Sequence, residues 1–184
     1  MKLEQALVTL KDGTQALLRS PEVYDAEQMI AYLRQTSGET DFMVRYPEEC
    51  SRSLEATQAR AQGILEHGRN FMLAAFIGGE LIGNCGVNAM GEQAKLRHRA
   101  SLGISIKKSA WGLGLGTILI TRALEQAKEN GFTQVELGVF ADNDRAQRLY
   151  RKLGFQEMGR IPKAFFLKDG TYRDEVQMVK FLTD

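Results

Sequence analysis

The sequence predicts an α+β fold, a mixed sheet of about seven strands flanked by about four helices. Three observations carry this. Asp12-Gly13 and Asp169-Gly170 each join two strand-like runs, the mark of antiparallel hairpins. In ILITRALEQAKEN, Ile120, Ala123, Leu124 and Ala127 recur at i, i+3, i+4 and i+7, a core-facing helical stripe. That helix links two alternating runs, RASLGISI and TQVELGVF, which makes a strand–helix–strand crossover.

Taken in order, LVTLKDGTQALLRS is the first hairpin. PEVYDAEQMIAYLRQTSGE reads as a helix with Met29, Ile30 and Leu33 on one face. From Ser53 to His67, SLEATQARAQGILEH is a second helix, stopped by Gly68. FMLAAFI and LIGNCGV are strands about a turn at Gly78-Gly79. In RASLGISI, Leu102, Ile104 and Ile106 alternate onto one side. After the crossover helix, Gly131 behind Asn130 fits a C-terminal stop. TQVELGVF then presents Val135, Leu137 and Val139 on one face. DRAQRLYRKLG is a short helix with Ala146, Leu149, Tyr150 and Leu153 in register, ended by Gly154. FQEMGRIPKAFFL and DEVQMVKFL are the closing strands. No repeat, low-complexity segment or linker interrupts the chain, so residues 1–184 are expected to form a single domain.

The composition, 43% hydrophobic and 26% charged, is that of an ordinary globular protein. A net charge of +1 gives no electrostatic basis for binding nucleic acid or an anionic membrane. MKLEQALVTLKDG lacks a secretory apolar region, and runs such as MLAAF are too short to span a bilayer. Cys50 and Cys85 stand apart without metal-ligand spacing. The expectation is therefore no metal, and a reduced, cytoplasmic setting.

Residues 111–117 read WGLGLGT, three glycines between leucines at the mouth of a helix. Free N–H groups at a helix start, with the helix dipole behind them, attract anions. Glycines let a phosphate approach the backbone closely. Two readings fit the run alone: a phosphate cradle, or a tight turn that packs a helix on a sheet. A dinucleotide fingerprint fails, because counting from Gly114 puts Leu119 in the last glycine slot. A Walker A loop fails too, because Thr117 follows Gly116 with no lysine between.

The longer stretch SLGISIKKSAWGLGLGTILITRALEQAKENGFTQVELGVFADNDRAQRLYRKLGF resembles the GNAT family, the Gcn5-related N-acetyltransferases. The family pattern is a strand, then Arg/Gln-x-x-Gly-x-Gly/Ala opening a helix, a strand ending in Asn, and a helix carrying Tyr and Leu-Gly-Phe. Gly114 and Gly116 fill the glycine slots, Asn143 the asparagine slot, and Leu149-Tyr150 with Leu153-Gly154-Phe155 the rest. The close match covers residues 98–157. One slot departs, since Trp111 stands where Arg or Gln is usual.

The resemblance implies the GNAT acyl-CoA transferase fold, splayed between its fourth and fifth core strands, here RASLGISI and TQVELGVF. It implies acetyl-CoA as co-substrate, with the pyrophosphate on Gly112, Leu113, Gly114, Leu115, Gly116 and Thr117. It further implies a pantetheine arm paired with the main chain at Ile104 and Ile106, and a contact from Asn143 to its amide region. Asn143 is equally a normal helix N-cap. The implied activity is N-acetyl transfer to a primary amine, of a small molecule or a protein N-terminus, by direct attack in a ternary complex. The alternative is a non-catalytic CoA-binding regulatory or interaction module. Family members often dimerise, so the resemblance allows a homodimer.

Tyr150 is the catalytic candidate. A phenol with pKa about 10 can donate a hydrogen bond or a proton to a nascent thiolate whose conjugate acid has pKa about 8.5. Periodicity alone reads Tyr150 as core filling beside Leu149 and Leu153. No residue stands out as general base. His98 precedes the strand entering the site, Ser101 occupies a position where many relatives carry glutamate, and His67 reads as a cationic complement to a helix C-terminus. A water chain can serve instead. Arg145, Arg148, Arg151 and Lys152 read as solvated helix charges near the expected adenosine end. In SGETDFMVRYPEEC, Glu39, Asp41, Glu48 and Glu49 surround Phe42 and Tyr46, which reads as a polar surface loop or as surroundings for a cationic acceptor. Phe165 and Phe166 face opposite sides of a strand, so one packs the core and one faces the acceptor side.

Overall fold

A computed structural model describes residues 1–183. Eight strands and four helices follow in the order β1 (Ala6–Thr9), β2 (Gln15–Arg19), α1 (Ala26–Gly38), α2 (Leu54–Glu66), β3 (Phe71–Ile77), β4 (Glu80–Ala89), β5 (Arg99–Ile106), α3 (Leu115–Glu129), β6 (Gln134–Phe140), α4 (Asp144–Lys152), β7 (Gln156–Phe166) and β8 (Tyr172–Phe181). The sheet is mixed, with strand order β1-β2-β3-β4-β5-β6-β8-β7. Both arms of the N-terminal hairpin join it, which brings the strand number to eight. The chain forms two compact units, Met1–Asn88 with Gly103–Ala123, and Ala89–Leu102 with the residues from Leu124 onward.

In the first unit, β1 to β4 are successive antiparallel neighbours. Alternation on β2 buries Ala16 and Leu18, whereas β3 is covered on both faces, so the consecutive Ala74 and Ala75 are both buried. Ser53 caps α2 by accepting from the Ala56 N–H at 3.2 Å. Met29, Ile30 and Leu33 of α1 are only half-buried, and the buried positions are Ala26, Tyr32, Thr36 and Ser37. Tyr32 packs with Ala74, Phe76 and Leu81, and Met29 lies against that cluster. The aromatic ring reaches further into the core than the aliphatic residues beside it. Leu119, Ile120 and Ala123 of α3 are also buried, as their spacing predicts.

One missing side chain sets how closely α3 lies on β4. A β-carbon on Gly83 would come within 3.2 Å of Leu115 and 3.3 Å of Leu119. Glycine there lets the first two turns of the helix seat on the strand backbone.

In the second unit, β5 pairs in parallel with β6 through three residue pairs, from Arg99 with Gln134 to Ser101 with Glu136. Among the described residues the ladder comprises these three pairs. β6 pairs antiparallel with β8 along its whole length, and β8 with β7. Val135, Leu137 and Val139 are buried, as are Leu124 and Ala127 at the end of α3.

Arg99 and Glu136 form a two-pronged ion pair at 2.6 and 2.7 Å across the β5–β6 ladder. Glu136 is almost fully buried, while Arg99 keeps about a third of its side chain in solvent. The Arg99 hydrogen bonds hold the Glu136 carboxyl below the usual carboxylate range, against the opposing effect of burial. A carboxyl depressed in the folded state stabilises the fold above the unfolded carboxylate pKa, and loses that contribution as pH falls through the folded value. Arg99→Met is expected to cost roughly 1–3 kcal/mol at neutral pH, the consequence of stranding a buried carboxylate with partial solvent relief. The same change should flatten the loss of stability on acidification, because the stranded carboxyl then takes up its proton more readily. Urea unfolding at neutral and at acidic pH checks both.

Candidate functional site

The glycine turn begins where β5 ends. Lys107 donates its N–H to Ile82 O at 2.9 Å, and its buried ammonium pairs with Glu80 at 2.6 Å. Lys108 donates its N–H to the Glu39 carboxylate at 2.6 Å. A single 3-10 turn, Lys108–Ala110, leads to Trp111. The indole N–H of Trp111 then folds back to Ile106 O at 2.8 Å, tying the turn to the last residue of the strand it left.

Gly112 and Gly114 both adopt left-handed backbone, with φ of 84° and 86°. A side chain is strained in that conformation. A β-carbon on Gly112 would meet no protein atom within 4 Å, so the surface above it is open to an approaching group. α3 starts at Leu115, and the Ile118 N–H reaches Gly114 O at 3.2 Å. The N–H groups of Leu115, Gly116 and Thr117 therefore precede the first helical hydrogen bond and sit at the positive end of the helix. Leu113 O accepts from the Lys11 N–H at 3.0 Å, which binds the β1–β2 loop to the turn. An open, donor-lined, left-handed turn at the head of a four-turn helix is a fit for a diphosphate.

Ile104 and Ile106 lie half-buried on β5 just upstream. Ser105 between them points to the other side, where the Tyr32 hydroxyl meets its carbonyl at 2.6 Å and its Oγ at 2.9 Å. Burial raises the Tyr32 phenol well above its ordinary value, so it stays a neutral donor at every physiological pH. The expected pantetheine strand is thus held from both faces, by Trp111 at Ile106 and by Tyr32 at Ser105.

In the second unit, Tyr150 is buried on α4 with its ring edge-on to Phe155, centroids 5.8 Å apart. Asn143 does not end β6, which stops at Phe140. It is the N-cap of α4, and its side chain accepts from the Ala146 N–H at 3.1 Å. The strand and helix are closed against each other by Gln147, which donates to Ala141 O at 2.8 Å and Phe140 O at 3.2 Å.

The remaining sequence candidates take mostly structural parts. The carbonyl of His98 accepts from Thr133 at 2.9 Å, and its imidazole is one of the groups acting on Glu136. His67 ends α2, yet its Nδ1 accepts from the N–H groups of Arg69 and Asn70 at 3.1 and 2.9 Å. It closes a turn at the end of α2. Ser101 pairs with Glu136 in the ladder. Of the acidic loop, Glu39 accepts from Lys108 and Glu49 from the Tyr46 N–H at 2.8 Å. Half of that carboxylate cluster therefore shapes local structure. Arg151 donates to Gln147 at 2.9 Å on its own helix. Phe165 stacks on Phe140 at 3.8 Å, whereas Phe166 is 65% exposed and lies against Tyr172. Both cysteines are buried and free, and burial pushes the Cys85 thiol up to about 12. Among the described residues no cluster of three His, Cys, Asp or Glu is placed to hold a metal, and no helix is long and apolar enough to cross a membrane.

Sequence reasoning missed Tyr32, Lys107 and Lys11. Tyr32 carried a signal, an aromatic next to the apolar face of an amphipathic helix. Lys107 and Lys11 carried none, because a lysine beside a turn is ordinary in any sequence.

Comparison with known proteins agrees with the fold. A spermidine N(1)-acetyltransferase of Escherichia coli strain K12 is 35% identical over 91 residues, covering 47% of this chain and 46% of that protein. A putative ribosomal protein bS18-alanine N-acetyltransferase of Bacillus subtilis strain 168 is 34% identical over 92 residues, covering 50% and 57%. The chain spans about half the length or less of the first curated relatives it matches. Among solved structures, an acetyltransferase of the GNAT family from Streptococcus pneumoniae superposes with a TM-score of 0.86 at 29% identity, over 90% of this chain and 99% of that one. A putative acetyltransferase from Salmonella typhimurium, solved with its cofactor acetyl-CoA, shares the fold with a TM-score of 0.79 at 17% identity, over 91% and 94%. The model of the acetyltransferase (GNAT) family matches residues 30–155, so the chain belongs to that family.

Proposed function

We propose that the protein is an acetyl-CoA-dependent N-acetyltransferase acting on a primary amine, of a small molecule or a protein N-terminus. The observation that carries this reading is the turn from Gly112 to Thr117. It combines two left-handed glycines, an open surface over Gly112 and a helix N-terminus, inside the segment that matches the acetyltransferase family. The names of the relatives, which include spermidine and ribosomal-protein alanine acetyltransferases, support an amine acceptor.

In this reading the N–H groups from Gly112 to Thr117 hold the diphosphate of the co-substrate. The main chain at Ile104 and Ile106 pairs with the pantetheine arm as an added strand would. With the Ile106 carbonyl engaged by the Trp111 indole, that residue keeps a fixed orientation. Asn143, whose Oδ1 caps α4, has its amide NH2 left to meet the arm. The co-substrate supplies an acyl thioester. The free amine of the acceptor attacks the thioester carbon, the C–S bond breaks, and the Tyr150 hydroxyl gives its proton to the departing sulfur. The proton lost by the amine leaves through water, which also returns one to Tyr150. Both cysteines are buried and no Ser–His–Asp set was found in the sequence, so direct transfer fits better than a covalent enzyme intermediate.

Acetyl-CoA is expected to raise Tm, and free CoA thiol should appear when amines are added. Stabilisation by CoA with no thiol released from any amine in a screen of polyamines, amino acids and N-terminal peptides would favour a binding module instead. Tyr150→Phe keeps the ring against Phe155 and is expected to lower kcat on the order of a hundredfold with KM little changed. An unchanged kcat removes Tyr150 from the chemistry. Gly112→Ala should cost only about 1 kcal/mol of stability, since its β-carbon meets no protein atom. Its affinity for CoA should fall by a larger factor than that strain explains, which calorimetric titration beside thermal unfolding resolves.

A further inference from the structure

The β1–β2 loop is held to the glycine turn by a main-chain bond, Lys11 N–H to Leu113 O at 3.0 Å. That bond fixes where the Lys11 side chain goes. A β-carbon on Gly114 would stand 3.3 Å from Lys11 Cγ, 3.6 Å from Cδ and 3.4 Å from Cε. The aliphatic stem therefore lies along the face of Gly114. The ammonium is one bond, about 1.5 Å, beyond Cε, and Gly114 is the residue whose carbonyl receives the first bond of α3. Lys11 is exposed and has no ion-pair partner among the described residues.

The turn itself has no side-chain cation. Trp111 contributes only an indole N–H, and that group is committed to Ile106 O. Residues 112–117 are Gly, Leu and Thr throughout. A diphosphate held by N–H groups alone keeps most of its charge uncompensated, and a lysine at the rim supplies a point charge without demanding fixed geometry.

Resting on the acetyl-CoA reading above, we infer that Lys11 is a co-substrate-binding residue, a cation delivered by the N-terminal hairpin to the diphosphate on the glycine turn. It stands in for the charge that Trp111 lacks. The glycine at 114 then has a second use beyond its backbone angle, as the floor on which the lysine stem lies.

The test is calorimetric titration of CoA and of 3′-dephospho-CoA into the wild-type protein, Lys11→Met and Lys11→Arg. Methionine keeps the apolar stem over Gly114, and the main-chain bond to Leu113 is untouched by either change. Lys11→Met is expected to weaken both ligands by the same factor, roughly five- to tenfold, and Lys11→Arg to restore most of it. The difference should shrink at high ionic strength, as an exposed charge contact does. Equal binding by wild type and Lys11→Met overturns the inference and leaves the acetyl-CoA reading standing. A loss confined to CoA, with 3′-dephospho-CoA unaffected, also overturns it, because the charge then serves the 3′-phosphate. Absence of binding to the wild-type protein brings down both readings together. Matching Tm values for the three proteins separate these outcomes from misfolding.

Discussion

The structure depends on a single short passage in which the chain must turn left-handed twice within three residues. Between the end of β5 and the start of α3, only glycine takes the angles seen at Gly112 and Gly114 without strain. Such a passage is costly in chain entropy and would wander if left alone. It is held instead at three points. The Trp111 indole grips the strand end, the Lys11 amide grips the turn, and Leu115 and Leu119 press the new helix onto the bare backbone at Gly83. Each contact is modest by itself. Together they fix where the N–H groups at the start of α3 point.

The two compact units contribute different kinds of order. The first supplies main-chain donors at the head of a helix, with a neutral buried phenol and a buried lysine anchoring the strand beneath. The second carries Tyr150 and Asn143 on a short helix latched by Gln147 to the strand before it. Its ladder between β5 and β6 is brief and is reinforced by the Arg99–Glu136 pair. A short parallel ladder has few hydrogen bonds to keep its register. A buried, two-pronged ion pair within the ladder supplies directional restraint where the backbone supplies little.

Much of this was legible before any coordinates. The stripe of Ile120, Ala123, Leu124 and Ala127, the Asp-Gly hairpins and the alternation in RASLGISI all follow from periodicity and turn chemistry, and all are found. The family resemblance rested on spacing across two helices and two strands, which single motifs could not have given. Three kinds of feature escaped. Tyr32 outranked Met29, Ile30 and Leu33 because burial is decided by what the facing strands leave open, not by helical spacing alone. Asn143 sits three residues past the strand, where its own non-helical backbone (φ −86°, ψ 67°) opens α4 as the N-cap. Lys11 was invisible because its partner Leu113 is far away in sequence and the bond is main chain to main chain, so no side-chain pattern reports it.

Trp111, the one residue that breaks the family pattern, is also the only tryptophan in the chain. Its ring is half-buried at the edge of the glycine turn, with its nitrogen tied to the strand. The ultraviolet emission of the whole protein therefore originates, apart from weak tyrosine light, at the edge of the glycine turn. A change at that turn can therefore be followed by the protein's own light, without attaching a dye.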